Sequence, residues 1–170
     1  MKNHIHDHPD IKIKGAIIVC SDRASKGAYK DQVIPTVEDI FSTLNWQLTF
    51  KTIVPDNIDD IHNAINNALR KQVHVIFTAG GTGVSPRDVT PEAISPFIHR
   101  NVPGIAEYIR FISWQKTPHA LLSRGISGIT KEGVLIITLP GSPKAVEEII
   151  PTISKTITHA IPIIQGYKIE

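Results

Sequence analysis

The residues best suited to chemistry are the run Thr78-Ala79-Gly80-Gly81-Thr82-Gly83 and the Pro86-Arg87-Asp88 that follows it. Glycines allow positive φ and let the backbone approach a ligand closely, and successive turned N–H groups form a concavity for an anion. A helix starting just beyond, with Thr90 as N-cap and Pro91 at its first position, would aim a positive dipole end at the same place. The run is no Walker A loop, because no Gly-Lys-Ser/Thr follows at the required spacing. It also fails the G-x-G-x-x-G fingerprint, since Pro86 takes the third glycine's place. On its residues alone it is either a phosphate-binding loop or a tight strand-to-helix turn.

Two acidic residues carry a similar ambiguity. Asp88 could complement the dipole of the helix beginning at Thr90, or it could hold Mg²⁺, which takes one or two carboxylates plus substrate phosphates. Asp56 precedes an amphipathic stripe with Asp59 three residues on, so it could cap that helix or act as a second metal ligand. Two further loops share the small, hydroxyl-rich character of the first: Ser21-Asp22-Arg23-Ala24-Ser25-Lys26-Gly27 and Thr138-Leu139-Pro140-Gly141-Ser142.

A nucleophile is harder to find. Cys20 ends an apolar run and reads as a small core residue. No G-x-S-x-G elbow supports a serine triad, and His62, His74, His99, His119 and His159 show no metal-binding spacing. Trp46 and Trp114 read as core or interface residues, with Trp114 also a candidate for lining a pocket.

The elements that must position these loops alternate between strand and helix. Gly15–Cys20, Val73–Phe77 and Val134–Leu139 are continuous apolar runs, the pattern of strands covered on both faces. Trp46–Val54 alternates apolar and polar residues and should lie nearer a sheet edge. Helical stripes run through Val33, Ile34, Val37, Ile40, Phe41 and Leu44, through Ile58, Ile61, Ala64, Ile65, Ala68 and Leu69, and through Ile105, Tyr108, Ile109 and Ile112. Ser142 and Pro143 should cap and open a last helix that Pro151 would kink. The stretch 120–129 suggests a twisted strand or ribbon. Such alternation predicts a three-layer α/β domain with a mostly parallel sheet and helices on both faces. Its ligands should sit outside the carboxyl ends of the strands.

Composition sets the outer limits. A chain of 170 residues with 41% hydrophobic and 20% charged residues fits one globular domain that buries roughly two thirds of its unfolded surface. Net charge is +2, with no Lys/Arg stripe interleaved with aromatics, which argues against nucleic acid as a partner. No apolar run approaches the ~20 residues of a membrane span. With no signal-like leader and a single cysteine, the expected setting is the cytoplasm. Residues 1–13, with His4, His6 and His8, form a separate flexible tail ahead of a single domain over 14–170. The histidines could bind a metal adventitiously or simply belong to a polar tail.

Ser21-Asp22-Arg23-Ala24-Ser25, Val54-Pro55-Asp56, Gly80-Gly81-Thr82-Gly83, Pro86 to Ala93, Leu122-Ser123-Arg124 and Leu139 to Pro143 occur in the same order as in a known family. The chain from about 14 to 165 resembles the Mog/MoaB family of molybdenum-cofactor biosynthesis, which includes molybdopterin adenylyltransferases and the G domain of gephyrin. The resemblance implies the molybdopterin-binding MoaB/Mog-like fold and a trimer, with hexamers in some members. It implies a reaction in which ATP and molybdopterin, with Mg²⁺, give adenylylated molybdopterin and pyrophosphate. Asp56 and Asp88 match the family's catalytic, metal-linked aspartates. Ser21, Asp22, Gly80, Gly81, Thr82, Gly83, Ser85, Gly141 and Ser142 match its ligand-binding loops, and Ser113 and Ser123 match serines linked to molybdopterin. Thr138 stands where some members have Asn, and Gly125 where some have Ser. Contact with the molybdenum-insertion enzyme is an expectation of the same kind. The alternative within the family is a non-catalytic MoaB-type binding or scaffold protein, for which both aspartates would be superfluous.

Overall fold

The computed structural model describes residues 11–167; His4, His6 and His8 lie outside the described residues, whereas Ile13, expected in the tail, is buried in the core. In chain order the elements are β1 (Lys14–Cys20), α1 (Asp22–Ser25), α2 (Val33–Thr43), β2 (Gln47–Val54), α3 (Ile58–Arg70), β3 (Val75–Ala79), α4 (Thr90–Ile94), β4 (Arg100–Asn101), α5 (Pro103–Trp114), β5 (Ser127–Ile129), β6 (Leu135–Leu139) and α6 (Pro143–Ile164). Short 3-10 turns occupy Ser95–Phe97 and Pro118–Leu122.

The strands form one six-stranded sheet in the order β2-β1-β3-β6-β5-β4. Strands β2, β1, β3 and β6 run parallel, and β5 and β4 add an antiparallel margin. The alternating strand over 47–54 is indeed at an edge, and the unclear stretch at 120–129 resolves into a 3-10 turn and β5. Alternate residues of the central strands point to opposite faces. Ile17, Val19, Phe77 and Ile137 join residues of α2, α5 and α6 on one side, while Ala16, Ile18, Ile76 and Ile136 meet residues of α3 and α4 on the other. Two apolar layers therefore sandwich the sheet, as the continuous apolar runs require.

Helix ends correct the sequence reading in two places. Asn57, not Asp56, caps α3, its Oδ1 accepting the N–H groups of Asp59 at 2.9 Å and Asp60 at 3.2 Å. Thr90 lies inside α4, with Val89 at the cap position, and its hydroxyl donates instead to the Gly80 carbonyl at 2.8 Å. Both residues that a capping rule would claim are thus free for the loops. Ser142 does cap α6 by accepting from the Ala145 N–H. That helix continues through Pro151 and Pro162 to Ile164. On α5, Tyr108 does not join the buried stripe; it is 45% exposed and stacks on Phe111.

Candidate active site

The parallel strands deliver their carboxyl-end loops to one side of the sheet, and the loops divide the site into an acidic half and a hollow half. The acidic half begins where β1 and β2 end. The Asp22 N–H donates to Asp56 Oδ2 at 3.0 Å, and the Asp56 N–H donates back to Asp22 Oδ1 at 3.2 Å. Arg87 reaches over from the glycine loop to pair with Asp22, its Nε donating to Oδ2 at 3.1 Å. Asp88 Oδ2 accepts the Ser85 N–H at 2.9 Å, and Ser85 Oγ accepts the Arg87 N–H at 3.2 Å. Ser85 therefore shapes the loop that presents Asp88.

The electrostatics of these carboxylates differ sharply. The Arg87 guanidinium holds Asp22 below the usual carboxylate range. Asp56 goes the other way: burial pushes it up, and the charges of Asp22 and Asp88 add to the rise against the opposing Asp22 N–H and Arg87. Asp56 Oδ1 is buried and has no hydrogen-bond partner among the described residues. A buried acceptor without a donor costs free energy, so this oxygen is suited to a cation. Among the described residues no cluster of three or more His, Cys, Asp or Glu side chains could hold a metal. Asp56 and Asp88 would instead supply the one or two carboxylates that Mg²⁺ uses alongside phosphate and water oxygens.

The glycine loop is packed against this acidic half so closely that side chains are excluded. Gly80 and Gly81 have φ of +99° and +62°, the region that glycine enters without penalty. A Cβ on Gly80 would lie 2.3 Å from the Cys20 carbonyl oxygen, and one on Gly81 would lie 2.3 Å from Thr90 Oγ1 and 2.9 Å from Asp56 Oδ1. Beneath the loop Cys20 is buried, its thiol pushed up to about 12 by that burial; it is a packing residue, as its sequence context suggested.

The hollow half is a cavity of about 360 Å³ between the glycine loop, α5, the 118–122 turn and the start of α6. Thr82, Gly83, Ser113, Ser123, Gly141 and Ser142 line it, so six residues expected from distant segments meet at one wall. Ser21 does not join them. It caps α1 through its Oγ and faces a separate hollow of about 110 Å³ that shares only Gly141 with the larger one. Trp114 is absent from the lining and is 48% exposed, so it is neither core nor pocket wall; Trp46, in contrast, meets Phe41 edge-on at 5.4 Å.

Sequence reasoning missed Arg110, Thr117 and His119 in the same wall. Arg110 donates to the Gly125 carbonyl at 2.7 Å and lies three residues before Ser113 on α5. That i, i+3 spacing, which places both on one helix face, was the available signal. The two departures, at 125 and 138, are neighbours in the fold. A Cβ on Gly125 would lie 2.6 Å from Thr138 Oγ1, and that hydroxyl is already engaged with the N–H and carbonyl of Ile126 at 2.7 and 2.9 Å. Neither residue lines the cavity, so the exchange leaves the wall intact.

Comparison with known proteins gives this site a context. The family described as a probable molybdopterin binding domain matches residues 16–159. Gephyrin of Dictyostelium discoideum is 40% identical over 160 residues, covering 88% of this chain, although the chain spans only 22% of that protein's length. The molybdopterin adenylyltransferase of Escherichia coli is 32% identical over 169 residues, covering 91% of this chain and 86% of that enzyme. The crystal structure of the molybdopterin biosynthesis enzyme MoaB from Thermus thermophilus superposes with a TM-score of 0.83 at 33% identity, covering 93% of this chain and 99% of that one. No helix among the described residues is long and apolar enough to cross a membrane.

Proposed function

The chain belongs to the molybdopterin-binding domain family, and within it we propose that the protein is a molybdopterin adenylyltransferase, using ATP and Mg²⁺ to adenylylate molybdopterin. One observation carries this reading. The buried, unpartnered Asp56 Oδ1 sits in the field of Asp88, against a glycine loop packed too closely on it to admit a side chain. A binder of the pterin alone needs the cavity but has no use for an uncompensated carboxylate outside it.

In this reaction a terminal phosphate oxygen of molybdopterin attacks the α-phosphorus of ATP, and the bond to the β-phosphate oxygen breaks to release pyrophosphate. Mg²⁺ held at Asp56 and Asp88 would neutralise charge that develops on the phosphates. The chain's own groups do the rest. Turned backbone at positions 81–83 would offer N–H groups to phosphate oxygens. Arg87, already on the rim with Asp22, adds a cation. The cavity wall of Ser113, Ser123, Thr82 and Arg110 holds the pterin so that its phosphate faces the loop. Ser21 and Asp22 serve the nucleotide side through the loop after β1, and Ser85 keeps Asp88 in place.

We place the reaction in the cytoplasm and the protein in a homo-oligomer, with a trimer favoured. Tyr108, Phe111, Trp114 and Leu121 are each 45–65% exposed and give such an assembly an apolar surface to cover. The molybdenum-insertion enzyme is the expected recipient of the product.

The deciding experiment incubates the protein with molybdopterin, ATP and Mg²⁺ and follows adenylylated pterin and pyrophosphate. Formation of both is expected. Tight pterin binding without pyrophosphate release would favour the scaffold reading instead.

A further inference from the structure

The Gly80–Asp88 loop has to be held at two points if Asp88 is to stay in register with Asp56, and the amino-terminal hold is plain. Thr90 donates its hydroxyl to the Gly80 carbonyl at 2.8 Å and its N–H to the Gly81 carbonyl at 3.0 Å. Farther along, the loop turns outward: Val84 is 64% exposed, and the Asp88 carboxylate is fixed from within the loop by Ser85. The second hold comes from the segment that precedes β5.

Arg124 follows Ser123 in the cavity wall. Its N–H donates to the Thr82 carbonyl at 2.8 Å, its Nε to the Gly83 carbonyl at 2.7 Å and its Nη2 to the Asp88 carbonyl at 2.6 Å. Glu92 on α4 pairs with the same guanidinium, and that hydrogen bond draws Glu92 below the usual carboxylate range. The planar fork thus spans the loop from Gly83 to Asp88 while an acid braces it from behind, a geometry that a point ammonium lacks.

We infer that Arg124, braced by Glu92, is the positioning residue that sets the Asp88 carboxylate for metal-assisted transfer and ties it to the pterin wall at Ser123. This rests on the adenylyl-transfer reading of the site. Arg124 acts through the Gly83 and Asp88 carbonyls, so its loss should register where Asp88 works, in turnover and in the response to Mg²⁺.

The test compares R124A, R124K, D88N and the double variant R124A/D88N in the full chain. The readouts are kcat, the Mg²⁺ concentration giving half-maximal rate, the molybdopterin dissociation constant and thermal unfolding. R124A should lower kcat about 100-fold, the cost of a displacement near 1 Å, and raise the Mg²⁺ requirement, while molybdopterin affinity stays near that of wild type. R124K should recover part of the rate, and it carries the same comparison where R124A does not fold. The double variant should be as slow as D88N alone within about twofold, because both changes act through one carboxylate. Losses that multiply would overturn the inference, as would R124A at wild-type speed beside a slow D88N. D88N at wild-type speed would instead remove the adenylyl-transfer reading, and the inference with it.

Discussion

The two halves of the site are built on different principles. In the acidic half, Asp22, Asp56 and Arg87 come from three loops and hold one another, while Ser85 holds Asp88: backbone N–H groups point at carboxylates, and a guanidinium covers one acid while leaving the next uncompensated. In the hollow half, Ser113, Ser123, Thr82, Gly141 and Arg110 line a shared space. The first stores electrostatic tension, and the second stores shape. A reaction joining two polyanions needs both, one to lower charge repulsion at the reacting phosphates and one to fix the larger substrate. The glycine loop is the seam, since Gly81 lies against Asp56 and Gly83 faces the cavity.

If the division is real, the halves should fail differently. The largest loss is expected in the acidic half. Asp88→Asn or Asp56→Asn should cut kcat about 100- to 1000-fold, the several kcal/mol that metal-assisted charge stabilisation supplies. Molybdopterin affinity should barely change, because that work is done in the transition state. A variant that keeps its rate but loses pterin affinity would merge the two halves.

The seam comes next. Gly81→Ala would place a methyl 2.3 Å from Thr90 Oγ1 and 2.9 Å from Asp56 Oδ1, at a φ of +62° that costs a residue with a Cβ about 1–2 kcal/mol. Both stability and turnover should fall, turnover about 10- to 100-fold because Asp56 is pushed aside. Turnover at wild-type level would show that the Asp56 position is not set by this contact. In the hollow half, Arg110→Ala should mainly raise the KM for molybdopterin, about 10-fold for a lost charged hydrogen bond, with a much smaller change in kcat. A collapse of kcat at constant KM would move Arg110 into the acidic half's role.

These contrasts also explain what the sequence could reveal. The layers and the edge position of β2 follow from apolar periodicity, which burial on two faces writes directly into the chain. The glycine loop with Arg87 and Asp88 stood out as a candidate anion site because charge and backbone freedom fall within nine consecutive positions. Asp56 could not be read locally: the rule that acids precede helices assigned it a cap that Asn57 provides. Its real surroundings, the Asp22 N–H and the field of Asp88, come from loops more than thirty residues away. The family likeness supplied that link. Arg110 and Arg124 stayed hidden for a related reason. An arginine on an amphipathic helix or in a turn reads as a solvated face until the fold shows which carbonyls it meets.

The smallest expected effect is on stability, and its sign opposes the loss of rate. Asp56 is held above the ordinary carboxylate range chiefly by burial, so its carboxyl binds a proton more tightly folded than unfolded. Such a group contributes stability at low pH that is lost as pH rises through its raised folded value. At pH 7 and without divalent ions the wild type therefore carries a burial cost that Asn escapes. Asp56→Asn should melt slightly higher there. Below the ordinary aspartate range the carboxyl is protonated in both states, and the advantage should disappear. Adding Mg²⁺ and ATP should raise the melting temperature of wild type far more than that of the variant, because only the wild type offers the full ligand pair. Should the variant melt lower than wild type at pH 7, the Asp22 N–H bond at Oδ2 would outweigh the charge burial, and the acidic half would owe its form to folding and not to a cation.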